Sequence, residues 1–283
     1  MIIVTGGTGQ VGSSIVKMLI QVGIPYLAPT REEFPLDDSQ KILDYLSTNE
    51  FTSFVHLSAD TNVDYCETNR ESATQRNVEA VKIIASYCQE NSKKFIFVSS
   101  SAVLSGDGAF MHKEDADYAP ANFYGETKMQ AEKYIVENCI DYLIIRASWM
   151  LGVGDNVKKY AQVVYEKILS GQNVLAVYDR FGSLTSSFRL AELILNNLEY
   201  SRSGVIHCAS TTPCSRYEIA KHISVRLNKT SRIDPVTNEH FKLVAPRGFS
   251  EGLQSEIATR SHKYLGLKWE EELDDFLQRA YLC

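Results

Sequence analysis

Tyr124 and Lys128 stand four residues apart in Asn122-Phe123-Tyr124-Gly125-Glu126-Thr127-Lys128, a segment that reads as the opening of a helix. That step puts the phenol and the ammonium on one helical face, about one turn apart. A free phenol, with a pKa of about 10, moves protons poorly near neutrality. A neighbouring ammonium, and the cationic nicotinamide of an oxidised dinucleotide, favour the phenolate and bring that pKa down. The pair therefore suits proton transfer at a substrate oxygen. Because YxxxK strings occur often by chance, the pair gains meaning from a third element. Ser99-Ser100-Ser101 ends a predicted strand, and α/β sheets place their ligands at that end.

The glycine turn implies the cofactor class. Thr5-Gly6-Gly7-Thr8-Gly9-Gln10-Val11-Gly12 directly follows the apolar run at 2–5 and opens a helical pattern. Gly6 suits the tight turn, Gly9 a close approach of backbone to a pyrophosphate, and Gly12 close helix packing. Gln10 and Val11 then lie at the helix start, where amides and dipole favour an anion. Strand, glycine turn and helix in that order point to dinucleotide binding. An acidic residue at the end of the second strand would hold the adenosine ribose of NAD, but the chain reads Pro29-Thr30-Arg31-Glu32-Glu33. Thr30 and Arg31 come first, and a guanidinium can fork onto a 2′-phosphate, which favours NADP(H). If Glu32 or Glu33 turns inward instead, NAD(H) is the cofactor.

The elements that must position these residues alternate along the chain. Short β-branched runs at 2–5, 25–30, 54–58, 95–100, 142–148 and 204–210 read as buried strands. Helical periodicity is predicted between them at 11–23, 39–46, 72–90, 124–139 and 188–198. Such alternation predicts an α/β fold, a Rossmann-type doubly wound parallel sheet. After Ser210 the pattern changes to a helix over 215–227, irregular strands and a C-terminal helix over 270–282. This predicts a smaller, interleaved C-terminal substrate-binding lobe. The expected division is 1–150 with about 186–210 for the dinucleotide, and about 151–185 with 211–283 for the substrate. The acidic run Glu270-Glu271-Glu272 with Asp274-Asp275 reads as a solvated helix face.

Composition narrows the classes. The 283 residues are 44% hydrophobic and 23% charged, as in globular enzymes and unlike disordered or collagen-like chains. With 29 Lys and Arg against 35 Asp and Glu, the net charge is −6, which argues against a nucleic-acid partner. Six scattered cysteines without a CxxC read as reduced thiols, with no metal site expected. The opening Ile2-Ile3-Val4 has no signal-peptide features, and no apolar window reaches the roughly 20 residues of a membrane span. A cytoplasmic protein without a membrane partner is expected.

With the glycine turn, the strand-end serines and the Tyr-Lys pair in order, the chain resembles the extended short-chain dehydrogenase/reductase superfamily. It is most similar to the dTDP-4-dehydrorhamnose reductase family. HLSADTNVDYCE at 56–67, with Asn77 in the next helix, resembles that family's strand and loop ending in VDxxE. IIRASWMLG at 144–152 resembles IxRxSWxxG, VYDRFGSLTSSFRLA at 177–191 resembles DQxGxPTxxxDLA, and PRGFSEGL at 246–253 resembles RPxxSxL. The resemblance implies NAD(P)H-dependent reduction of a 4-keto-6-deoxy nucleotide sugar, dTDP-linked in the family's pattern, for deoxysugar and polysaccharide biosynthesis. It also admits a homodimer.

Residue by residue, the resemblance implies that Tyr124 protonates the substrate carbonyl oxygen and that Lys128 holds the nicotinamide ribose and tunes Tyr124. Ser100, four residues before Leu104, polarises the carbonyl, with Ser99 and Ser101 as its neighbours in contention. Ser58 and Ala59 line the cofactor, Ser101 borders the substrate, Trp149 stacks on the sugar and Arg247 faces the diphosphate. The chain also departs from the pattern. Ser101 and Ala102 stand where an acidic residue commonly follows the serine, so dehydration is not expected. Arg180, Leu184 and Arg189 replace the expected Gln, Pro and Asp. Two other readings remain: a nucleotide-sugar 4-epimerase that retains NAD, and a non-catalytic NADP-binding regulatory subunit.

Overall fold

In each central strand alternate side chains point to opposite faces, and in this chain both sets are apolar, so the sheet must be covered on both sides. The computed structural model describes residues 1–106, 108–152, 159–198, 203–255 and 266–282. Ile2–Thr5, Tyr26–Leu27, Ser53–His56, Lys94–Ser100, Tyr142–Ala147 and Gly204–Cys208 form one six-stranded sheet, and every neighbouring pair is parallel. Counted along the chain, the spatial order is 2-1-3-4-5-6, so the winding reverses between the first and third strands. Ligand crevices of α/β sheets open at such a switch point.

Two helical layers close the faces. Ile15 and Leu19 of helix Gln10–Val22, with Leu190 and Ile194 of Ser187–Asn196, pack on Val4, Val55, Ile96 and Ile145. On the other face Ile42 and Leu46 of Ser39–Thr48, Ile84 of Ala80–Glu90 and Ile135 of Phe123–Asn138 pack on Phe54, Phe95 and Phe97. The second strand is shorter than the expected 25–30. Pro25 and Pro29 flank it and supply no amide hydrogen, which confines pairing to Tyr26–Leu27 at the sheet edge. The helix expected over 72–90 starts at Arg70 and carries a π turn at Gln75–Glu79 before continuing.

Outside the central sheet, Trp149–Leu151 pairs with Leu184–Ser186, and Val174–Val177 with Ile233–Val236. Phe181–Gly182 takes Cys214–Ser215 on one side and Ser250–Glu251 on the other. Helices Tyr160–Leu169, Arg216–Arg226 and Trp269–Leu277 build a further core here around Val164, Ile168, Leu184, Ile223 and Phe276.

The acidic C-terminal run is a solvated face only at Glu271, which is exposed. Glu272 is buried, lies 2.6 Å from Arg189 and accepts from the Ser186 amide at 3.0 Å. Asp274 meets Arg226 and His222, and Asp275 meets Arg279. The helix turns its carboxylates onto basic neighbours because Leu273, Phe276 and Leu277, interleaved with them, are core residues. Cys66, Cys88, Cys139, Cys208 and Cys214 are free thiols, and Cys283 lies outside the described residues. Among the described residues no cluster of His, Cys, Asp and Glu could hold a metal ion, and no helix is long and apolar enough to cross a membrane.

Candidate active site

The site forms where the glycine turn, the ends of the third and fourth strands and the start of helix Phe123–Asn138 meet. Gly6 adopts φ +70°, a left-handed conformation that glycine takes without strain. Gly12 is required for another reason: a Cβ there would lie 2.0 Å from the Gly6 carbonyl oxygen. Its close approach is thus to the turn itself rather than to a strand. Gly9 is the N-cap of Gln10–Val22, and no side chain caps that helix, so the turn leaves an amide-lined cradle such as a pyrophosphate needs. Val11 lies in the first turn, and the Gln10 side chain donates from Nε2 to the Gly152 carbonyl at 3.3 Å.

The loop after the third strand lies against this turn. Thr5 Oγ1 accepts from the amides of Leu57 at 3.2 Å and Ser58 at 3.4 Å. Its own proton is then directed to His56 Nδ1 at 2.9 Å. Burial first, and then the Lys128 charge, bring His56 down to about 3, so the imidazole is neutral. Ala59 follows Ser58 in the same loop. Asn77, buried in the π turn, donates to the Asp60 carbonyl at 3.0 Å and to Thr127 Oγ1 at 3.2 Å, and accepts from the Asp60 amide at 2.8 Å. One side chain thereby locks this loop to the helix that carries Tyr124 and Lys128.

At the end of the second strand, Thr30 and Glu33 bind each other. The Thr30 amide donates to the Glu33 carboxylate at 2.8 Å, and the Glu33 amide to Thr30 Oγ1 at 3.3 Å. These bonds, the one from the Thr30 amide foremost, hold the Glu33 carboxyl below its ordinary value. Arg31 is exposed beside them.

Helix Phe123–Asn138 begins at a cap that its sequence specifies. Asn122 Oδ1 accepts from the Gly125 amide at 3.0 Å, while its Nδ2 donates to the Pro246 carbonyl at 3.0 Å. Tyr124 is buried and hydrogen-bonded to Ser100. Of its neighbours, Ser99 is buried without a partner among the described residues, and Ser101 is fully buried and donates to Glu251 Oε2 at 2.9 Å. Ser100 is thus the serine at Tyr124. Lys128 Nζ donates to the Val98 carbonyl at 3.0 Å and sits 4.4 Å over the Phe97 ring. Burial pushes Lys128 down to about 8, opposed by the carboxylate of Glu132.

Of the two charges expected to lower Tyr124, the Lys128 ammonium does not do so. Burial raises Tyr124 well above the usual phenol range, with the Ser100 hydrogen bond pulling the other way. The ammonium of Lys128 is directed to the Val98 carbonyl instead.

Trp149 packs on Gly182, where a Cβ would come within 2.4 Å of the indole, and the Arg216 guanidinium lies 4.6 Å over its ring. One ring face is therefore taken by protein rather than left for a sugar. Arg247 donates to Asp64 at 3.0 Å and to the Ala245 carbonyl at 2.8 Å, which braces its loop against helix Val63–Thr68. The sequence reading missed Glu132, Glu251, Lys159 and Arg216. Glu251 lies inside the quoted stretch 246–253 and Glu132 stands one helical turn after Lys128, so both were within reach; Lys159 and Arg216 carry no local signal.

A family model described as RmlD substrate binding domain matches residues 1–282. The structure is similar to that of dTDP-4-dehydrorhamnose reductase from Yersinia enterocolitica, with a TM-score of 0.93 and 31% identity over 98% of each chain. In sequence the chain is 26% identical to the spore coat polysaccharide biosynthesis protein SpsK of Bacillus subtilis, over 100% of this chain and 99% of that protein. A dTDP-4-dehydrorhamnose reductase from Bacillus anthracis, solved in complex with NADP, shares the fold with a TM-score of 0.90 and 24% identity over 99% of each chain.

Proposed function

The chain belongs to the dTDP-4-dehydrorhamnose reductase family of nucleotide-sugar reductases, and from that premise we propose that it reduces the 4-keto group of a 4-keto-6-deoxy nucleotide sugar, dTDP-linked, with NADPH. The observation that carries this reading is the gathering of Ser100, Tyr124 and Lys128 at the end of the fourth strand, next to the glycine cradle. The cradle fits a dinucleotide because Gly12 has no room for a side chain and the helix behind it is uncapped. NADPH bound there supplies a hydride to the carbonyl carbon. Arg31 favours the 2′-phosphorylated cofactor, and the Glu33 carboxylate is engaged by the Thr30 amide.

Tyr124 gives its proton to the carbonyl oxygen, Ser100 donates a hydrogen bond to the same oxygen, and Lys128 holds the ribose. Burial keeps Tyr124 protonated but makes it a weaker acid than free tyrosine, so its proton leaves only as hydride transfer builds negative charge on the carbonyl oxygen. In this reading 1–150 with about 186–210 serve the cofactor, and about 151–185 with 211–283 serve the sugar nucleotide.

The test is loss of NADPH absorbance on adding freshly generated dTDP-4-keto-6-deoxyglucose, with UDP and GDP analogues and NADH in parallel. One cofactor oxidised per product formed is expected. Tyr124→Phe should lower turnover by about 10²-fold or more while NADPH still binds. An isomerised sugar without net cofactor consumption would establish the epimerase instead, and NADPH binding without any turnover would point to the regulatory subunit.

A further inference from the structure

Glu251 brings a carboxylate to the end of the fourth strand from 150 residues further along the chain. Its backbone pairs in parallel register with Gly182, and the Ser148 hydroxyl donates to its carbonyl at 2.7 Å. Ser148 follows directly on Ala147, which lies opposite Ser100 in the central sheet. Residues opposite each other in a sheet point their side chains to the same face, so the Glu251 side chain leaves on the side where Gly182 packs on the Trp149 indole. There Oε2 accepts at 2.9 Å from Ser101, which is fully buried and directly follows Ser100. The carboxylate therefore stands at the ends of two neighbouring parallel strands, where α/β sheets bind their ligands, between the serine that meets Tyr124 and the strand that carries Trp149. Glu251 is half-buried, and among the described residues its other oxygen, Oε1, has no hydrogen-bond or ion-pair partner. One oxygen is fixed by the protein, and the other is a preoriented acceptor.

We propose that Glu251 is a specificity-determining residue for the sugar, its Oε1 accepting the hydroxyl on the carbon next to the keto group. The proposal rests on the nucleotide-sugar reading above and deepens it by naming a substituent that the substrate must carry. With the carbonyl oxygen at Ser100 and Tyr124, the groups nearest Ser101 are those on the neighbours of the carbonyl carbon. In a 4-keto-6-deoxyhexose C5 carries the methyl carbon and the ring oxygen, so C3 alone offers a hydroxyl there. A sugar without that hydroxyl strips water from Oε1 and returns no bond, so it is selected against. Ser101 is the positioning residue: by holding Oε2 it keeps Oε1 from turning away.

The test compares dTDP-4-keto-6-deoxyglucose with its 3-deoxy analogue, both as substrates with NADPH and as ligands of the NADP-saturated protein in calorimetry. Wild type should favour the sugar with the 3-hydroxyl by about 10- to 100-fold in kcat/KM and in affinity, as a hydrogen bond to a charged acceptor implies. Glu251→Ala should lower the hydroxylated sugar by that factor and leave the 3-deoxy sugar within about 2-fold, which erases the preference. A merely structural role would lower both sugars together and leave their ratio unmoved. Glu251→Gln, whose amide oxygen still accepts, should keep part of the preference, and Ser101→Ala should fall between Gln and Ala at 251. A wild-type preference under about 2-fold overturns the proposal, as does an equal loss for both sugars in Glu251→Ala. Should Glu251→Ala fail to fold, Glu251→Gln and Ser101→Ala decide, and the full wild-type preference in both overturns it. Reduction of the two sugars with equal kcat/KM rejects the Glu251 contact and leaves the reductase standing. A Glu251-dependent preference in binding without NADPH oxidation rejects the reductase and leaves the contact.

Discussion

Glu132→Gln probes how helix Phe123–Asn138 is held and how Lys128 is kept charged. Glu132 lies one turn beyond Lys128, is fully buried, and meets Arg146 at 2.8 Å through Nη2 and 3.1 Å through Nε. It also accepts from the Tyr118 hydroxyl at 2.9 Å. Arg146 is only 2% exposed, so an amide at 132 leaves a buried guanidinium without its counter-charge, at a cost of about 3–5 kcal/mol. With a urea m-value of about 2 kcal/mol/M, the unfolding midpoint should fall by about 1.5–2.5 M. Activity should change in a separate way. Burial holds Lys128 at about 8 while the Glu132 carboxylate opposes that fall, so without the carboxylate the ammonium loses its proton at lower pH. The alkaline limb of kcat/KM should therefore move to lower pH, with variant and wild type converging on the acid side. Glu132→Leu combined with Arg146→Met should recover much of the stability by removing both charges together. A urea midpoint within about 0.3 M of wild type would refute the buried-pair argument. A folded variant whose alkaline limb stays in place would refute the coupling to Lys128.

Arg31→Ala should weaken NADPH by about 10-fold or more and NADH hardly at all, read from the two dissociation constants; equal losses would remove the 2′-phosphate contact. In Gly125→Ala the new Cβ would lie 2.4 Å from the Ala102 carbonyl oxygen. The helix must then back away from the serine strand, costing about 1–3 kcal/mol in a urea titration and lowering kcat, and a variant matching wild type in both would contradict that packing. His56 and His207 are each brought down to about 3, by burial first and then by Lys128 and Arg146 respectively. A folded pKa below the unfolded value of about 6.5 lets the unfolded chain bind protons first as pH falls. Their contribution is complete above about pH 6.5 and declines between 6.5 and 3, by about 2 kcal/mol per histidine at pH 5. Urea midpoints at pH 7 and pH 5 should differ less in His56→Gln than in wild type, and parallel losses would show that His56 titrates normally.

The sheet was legible because its signals are local. Each central strand is a short run apolar on both faces, and Asn122 three residues before Gly125 is a capping signal that the structure satisfies. The glycine turn was legible for the same reason: its conformation is fixed by residues six apart, Gly6 and Gly12. What stayed hidden closes between distant segments. The Arg189 to Glu272 pair turns a run that reads as solvated into a buried clasp, and neither residue signals the other along the chain. Trp149 is visible as an aromatic at a strand end, but its covering by Arg216, from a helix 67 residues further on, depends on Trp149–Leu151 pairing with Leu184–Ser186 and Cys214–Ser215 pairing with Phe181–Gly182. The π turn that buries Asn77 has no marker of its own in Gln75–Glu79.

The strand end at Ser100 shows how such long-range closure sets the chemistry. The chain lacks an acidic residue after the serine, since Ser101 and Ala102 stand there, yet Glu251 reaches Ser101 at 2.9 Å from 150 residues away. Strand Ser250–Glu251 is held by Phe181–Gly182, and the Ser148 hydroxyl donates to the Glu251 carbonyl at 2.7 Å, so the carboxylate arrives only when these segments are docked on the central sheet. Once there, its negative charge adds to burial in keeping the proton on Tyr124. The acid at the serine is thus supplied by folding of the C-terminal segment rather than by the strand itself. Tyr124 should hold its proton most firmly in the docked state, where a carbonyl oxygen that gains negative charge can take it.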